Sequence, residues 1–254
     1  MLRRHASYPL LDFCIITSKS IDIQSQIVYN TLTLVRGEVV INYLRVPSSV
    51  ITNQELGEKR ILVYTSSMFL SWTSAEELAQ QCGFFSDRHN RGTGKQFSDC
   101  LTQLQNLGYI RRGNFGAYQR KVNEGFGIIT FDEFAKILEY RANASGRINH
   151  AHMFLLLAHV RQFMHKQRPR YYSNLFKRIS TELGISQRAV SIAAKNLDAA
   201  GILHCEELPR YKTNNQWHTN VHIFVDLKGS NDYDWHIEME AGINQIRRTS
   251  KREN

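Results

Sequence analysis

The sequence predicts a helix-rich α+β protein in which one unit, two helices joined by a turn and followed by a β-hairpin, occurs twice in tandem. Three observations carry that expectation. A helix–glycine–helix pattern followed by two strand-like runs occupies residues 172–225, and a weaker copy occupies residues 46–121. The formal net charge of +9 resides in segments that overlap those two patterns: residues 84–121 hold a net of +5 and residues 147–230 a net of +7, while the rest of the chain is neutral or slightly acidic.

Composition bounds the class. At 254 residues, with 42% hydrophobic and 22% charged side chains, the chain has enough apolar material for one large or two small cores. Only four prolines occur, and disorder of the whole chain is excluded. The longest apolar run, residues 153–158, falls far short of the ~20 residues of a membrane helix. Arg3, Arg4 and His5 near the start are not followed by the apolar block of a signal peptide. Cys14, Cys82, Cys100 and Cys205 are widely spaced and form no CxxC pair. A reduced, cytoplasmic protein is expected.

The elements follow in chain order. Residues 1–45 form a strand-rich extension with apolar runs at 10–16 and 39–44, available to extend the first unit or to make a dimer contact. The first unit spans residues 46–142. Val46-Pro47 opens it, and a helix is predicted over 54–70, with Leu56, Ile61, Leu62, Tyr64 and Met68 apolar. Ser74 and Glu77 make a capping box for a helix over 75–82 that turns Leu78, Ala79 and Cys82 inward before Gly83. A further helix over 94–107 is expected to bury Phe97, Leu101, Leu104 and Leu107. Gly108-Tyr109-Ile110 then leads into a hairpin over 111–121, and a strand end and short helix fill 128–140. Residues 143–148 are the expected linker.

The second unit spans residues 149–228. A helix over 149–167 is expected to turn Phe154, Leu155, Leu157, Ala158, Val160 and Phe163 inward. Ser173 is expected to cap a helix carrying Leu175, Phe176, Ile179 and Leu183, which Gly184 ends. Ser186 caps the next helix, whose inward face is Val190, Ile192-Ala193 and Leu197, up to Gly201. Strands over 202–207 and 217–225 flank a polar, turn-rich loop over 209–216. The tail, residues 229–254, runs from acidic to basic and is expected to be partly helical and frayed.

The run Ile179, Ser180, Leu183, Gly184, Ile185, Val190, Ala193, Leu197 and Ala200-Gly201-Ile202-Leu203 resembles the helix-turn-helix of the winged-helix superfamily. Small Ser180 permits a close crossing, Gly184 makes the turn and Val190 fills the angle. The fold class this resemblance implies is helix-rich α+β with two winged-helix domains in tandem. A helix fits the major groove, where amide and guanidinium groups read base edges, and hairpin cations meet phosphates. The expected DNA contacts are Gln187, Arg188, Ser191 and Lys195 on the second recognition helix, with Arg210 and Lys212 on its wing. In the first unit they are Arg88, Arg91, Lys95 and Gln96, with Arg111, Arg112, Arg120 and Lys121 on the wing. This unit departs from the second. Gly184 precedes Val190 by six residues, but Gly83 precedes its counterpart Phe97 by fourteen. The extra residues, 84–93, are either a phosphate-gripping loop or an insertion that blocks groove entry.

No enzymatic pattern emerges. Residues 91–95 lack the first glycine of a Walker loop, and GxSxG and HExxH are absent. His150-Ala151-His152 with Tyr171-Tyr172 has the residue types of a relaxase, but the histidines precede a helical run rather than lying on a strand. His204, Cys205 and His222 lack the paired spacing of a zinc site. No catalytic residue, metal or cofactor is expected. Trp217 and Tyr211 are candidates for base stacking or for packing. The tandem arrangement over about residues 46–226 is similar to plasmid and phage replication initiators. That resemblance implies double-stranded DNA as partner, with self-association as a dimer and host replication proteins as further partners, and no membrane. The other readings are a transcriptional regulator and, from a different class, an interaction adaptor such as a helicase loader or chromosome-organising subunit.

Overall fold

The computed structural model describes residues 32–35, 38–41, 43–82, 91–113, 116–119, 124–140, 149–164, 170–213, 216–227 and 234–252. The run at 10–16, most of the 84–93 segment and the 143–148 linker lie outside the described residues. The architecture is helix-rich α+β, with nine α-helices among the described residues and small antiparallel sheets.

Strands β1 (Leu32–Val35) and β2 (Glu38–Ile41) form a hairpin. Next come β3 (Tyr43–Pro47), α1 (Ser48–Thr52), a 3-10 turn (Gln54–Leu56), α2 (Arg60–Phe69), α3 (Ala75–Gln81) and α4 (Arg91–Asn106). The hairpin β4 (Ile110–Gly113) and β5 (Gly116–Gln119) follows, then β6 (Phe126–Thr130), which pairs back on β3, and α5 (Phe131–Glu139). Beyond α6 (His150–Met164) come β7 (Tyr171–Leu175), α7 (Phe176–Leu183), α8 (Gln187–Ala199) and β8 (Leu203–Glu207). A second hairpin, β9 (Tyr211–Thr213) with β10 (Gln216–His218), precedes β11 (Val221–Asp226) and α9 (Trp235–Arg252). Strand β11 lies between β7 and β8, antiparallel to both.

Helix α6 organises the molecule. Met153, Phe154, Leu155, Leu156, Leu157, Ala158 and Val160 are all fully buried, so the helix has no solvent face along its middle. A helix apolar all round must be covered on every side. Helices α1 and α2 and strand β6 cover one part, and α7, α8 and β7 cover the rest. One continuous core results, running from Leu44 and Val46 through α6 to Leu197 and Phe224. Strand β6 approaches so closely that a Cβ on Gly127 would overlap the Ala158 carbonyl. No helix among the described residues is long and apolar enough to cross a membrane.

The polar side chains toward the end of α6 reach partners across this core. The Arg161 guanidinium donates to both carboxylate oxygens of Glu133 on α5, at 2.6 and 2.7 Å, and to Asp226 on β11 at 2.6 Å. Glu133 also closes a capping box with Thr130. Burial raises the Glu133 carboxyl and Arg161 lowers it, and the net is a carboxyl held below the usual range. Ser48 Oγ donates to Gln162 Oε1 at 2.9 Å, which turns Gln162 Nε2 toward His159 Nδ1 at 3.2 Å. His159 Nε2 then faces Tyr172 Oη at 3.1 Å and the Glu182 carboxylate at 3.4 Å.

Several expected boundaries are corrected. The helix expected over 54–70 is two pieces, the 3-10 turn and α2, because Gly57 takes φ 76° between them. Ser173 caps nothing: residues 171–175 are a strand, held by β11, and α7 starts after extended Leu175 without a side-chain cap. The Ser74 cap holds, with Ser74 Oγ accepting from Glu77 N, but the Glu77 carboxylate reaches back to Thr73. Leu107 and Phe163, expected inside, are 53% and 40% exposed at the ends of their helices. The strand expected over 217–225 breaks at Asn220, whose φ is 59°. The tail is helical over its described part, as expected: α9 seats Met239 against Tyr171, Val221, Ile223 and Val225, and its Gly242 lets it lie against the Tyr171 ring.

Two outcomes are expected. Gly127→Val forces β6 off α6 and lowers stability by roughly 3 kcal/mol or more, read as the shift in urea midpoint. His159 is held down to about 4 by burial, against 6.5 when unfolded. The unfolded chain therefore takes up the proton first, and stability falls as pH drops from 6.5 toward 4. Between pH 7 and 4.5 the wild type loses about 2 kcal/mol more than His159→Gln, measured by urea titration at each pH.

Candidate nucleic-acid interface

The α7–turn–α8 unit is built from local chemistry. Gly184 takes φ 71° and its N–H bonds Ser180 O at 2.9 Å, which ends α7. Ser180 Oγ donates to Ile185 O at 2.7 Å, and Ser186 Oγ accepts from Ala189 N at 3.1 Å as the N-cap of α8. Ile179, Leu183, Val190, Ala193 and Leu197 are buried between the two helices and α6. The last carbonyls of α7 are met by the first half of the chain. Arg60 Nη2 donates to Leu183 O at 2.9 Å, and Gln54 Nε2 to Thr181 O at 2.7 Å. The Arg60 guanidinium also bonds the Ile51 and Gly57 carbonyls, is 1% exposed, and is pushed down to about 10 by burial.

The outer face of α8 is thereby held in one orientation. Arg188 and Lys195, seven residues apart, share that face and are exposed. Neither forms an ion pair among the described residues. Gln187 is exposed at the first turn, and Ser191 is half-buried beside the face. Ile192, expected inside, lies on the outer face instead and is 37% exposed; Ala194 takes its place in the core. The signal was present, because Ile192 is two residues from Val190 and falls outside the 190–193–197 stripe. Asp198, at the far end, pairs with His204 at 3.2 Å.

After β8 the chain enters the β9–β10 hairpin. Arg210, just ahead of it, lies 4.3 Å over the Trp217 ring, which is 58% exposed. Lys212 is exposed on β9, and Tyr211 stacks on His218 at 5.0 Å.

The first half places its residues differently. Lys95 and Gln96 are exposed on α4, but Gln96 accepts a 2.6 Å bond from Lys59 Nζ. Arg111 is exposed on β4. Arg112 lies over the Trp72 ring at 5.5 Å and donates to the Thr73 carbonyl, so it braces the hairpin against the start of α3. Arg91 belongs to α4, and its side chain lies outside the described residues, as do Arg88, Arg120 and Lys121. The two halves share one turn in detail. Gly108 and Gly201 have φ 73° and 62°. Tyr109 N bonds Leu104 O and Ile202 N bonds Leu197 O, each at 3.0 Å.

His150 and His152 are on a helix, engaged with the Tyr140 carbonyl and the Glu58 carboxylate. Cys205 faces Phe224 across the sheet while His204 faces Val225, and burial pushes the Cys205 thiol up to about 12. Among the described residues no group of three His, Cys, Asp or Glu side chains is arranged to hold a metal. No protein-family model, curated protein or solved structure matches the chain.

Replacing Arg60 with Met strands the buried carbonyls of Ile51 and Leu183 and is expected to cost about 3 kcal/mol or more. Arg188→Met, on the surface, stays within about 0.5 kcal/mol of wild type in the same urea titration.

Proposed function

We propose that the chain binds double-stranded DNA sequence-specifically through two winged-helix units, without catalysis, and acts as a replication initiator of a plasmid, phage or other mobile element. The observation that carries this reading is the uncovered outer face of α8. It follows a tight helix–turn–helix, bears Arg188 and Lys195 free of ion pairs among the described residues, and is succeeded by a hairpin bearing Arg210 and Lys212. The order α6–β7–α7–α8–β8–β11, with β11 between its partners, is the order a winged helix requires. In this arrangement the outer face of α8 enters the major groove. Arg188 and Gln187 reach base edges, and the hairpin cations hold phosphates.

The first unit contributes through Lys95 and Arg111, with Arg112 holding the hairpin in place. A role in transcription uses the same interface, and the replication assignment rests on the resemblance of the tandem arrangement to initiators. An adaptor would need no salt-sensitive DNA affinity.

Fluorescence anisotropy against random duplex and duplex from the gene's own neighbourhood tests the reading. The expected result is preference for the latter, with affinity falling steeply, by about a thousandfold between 50 and 200 mM salt for six or more phosphate contacts. Arg188→Ala and Lys195→Ala each weaken specific binding by roughly tenfold. Wild-type affinity in both variants would remove α8 as the reading helix, and no binding by the wild type would favour the adaptor.

A further inference from the structure

The outer face of α8 carries one large apolar side chain. Ile192 lies between Arg188, one turn before it, and Lys195, three residues after it. It is 37% exposed. With Arg188, Ala193 and Asn196 of α8 and with Asn149 and His152 at the start of α6, it lines a depression of about 230 Å³. The position is not a core site reached from outside, since Val190, Ala193, Ala194 and Leu197 already fill the inner face.

A sec-butyl group amid cations has no favourable partner in water or among phosphates. It has one on the floor of the major groove, where thymine alone among the four bases presents a methyl group. We infer that Ile192 contacts a thymine 5-methyl group and is a specificity-determining residue of α8. The cations on either side engage phosphate or guanine, and Ile192, central on the same face, meets the methyl between them. The inference rests on the DNA-binding reading of α8. Burying one methyl group against an aliphatic side chain is worth about three- to fivefold in affinity.

The test uses the full chain. A preferred duplex is selected from a randomised pool, and each thymine in it is then replaced singly by uracil, which removes only the methyl. The expected result is one or two positions where uracil weakens wild-type binding three- to fivefold. Ile192→Ala loses that sensitivity, Ile192→Val keeps it, and Lys195→Ala binds more weakly overall while keeping it. Circular dichroism checks that the variants fold, as an exposed position allows. Selection of a preferred site with no uracil effect, or an effect that survives in Ile192→Ala, overturns the inference and leaves the DNA-binding reading standing. DNA binding without any sequence preference overturns it too. Failure of the wild type to bind any duplex overturns both.

Discussion

The absence of a solvent face on α6 is the constraint on which the rest of the structure depends. Seven apolar side chains between Met153 and Val160 are fully buried, and each of the six larger than alanine contributes roughly 1.5–3 kcal/mol only if it is completely covered. No single layer can cover a helix on all sides. Elements from both halves of the chain do so together, and their cores merge into one. Close approach has its own requirement, met by Gly127 under the Ala158 carbonyl. Polar residues on such a helix have no water to fall back on. Arg161 is therefore answered by two carboxylates from opposite sides, Glu133 on α5 and Asp226 on β11.

The same constraint sorts the cations. Arg60 and Arg161 are structural: they cross between elements and spend their donors on buried carbonyls and carboxylates. Arg112 and Arg210 each lie over a tryptophan, Trp72 and Trp217, so both hairpins carry an arginine held in place by an aromatic ring. The Trp72 ring is buried and the Trp217 ring faces water, while both arginines are exposed. Arg188, Lys195, Lys212 and Arg111 are exposed as well. A net charge of +9 counts these groups alike, whereas only the outward set can attract an anion. Arg60 links the two sets, because it fixes the end of α7 from which α8 departs.

Much of the second half was legible because its signals are local. Gly184 and Gly201 stand where a helix must end in positive φ, Ser186 stands where one must begin, and Val190 and Leu197 keep the helical period. The errors have a common cause. Tyr171–Leu175 carries residues that suit either a capped helix or a strand, and pairing with β11, about fifty residues later, decides for the strand. Ile192 looks like core by residue type and is surface by phase. The docking of α9 depends on Gly242 meeting the Tyr171 ring, a contact between residues seventy apart. In the first half Gly57 was read through as helix, although an isolated glycine in a helical pattern is a warning of a break. In the candidate interface residue types were legible, but the engagement of Gln96 by Lys59 and of Arg112 by Trp72 was not.

The repeated turn shows which part of the unit is under the tighter physical demand. Helices α4 and α8 differ in length, in what precedes them and in the residues they expose. Yet both end on a glycine in the left-handed region, with the following N–H bonded five residues back at the same distance and a strand starting at once. A helix that must reverse into a strand packed on its own inner face has few backbone solutions, and the glycine-closed turn is the one that satisfies the last carbonyls without a bulky residue at positive φ. The turn is thus set by the helix-to-strand reversal, which leaves the outer faces of α4 and α8 free to differ. Lys95 on one and Arg188, Ile192 and Lys195 on the other are where that freedom is used.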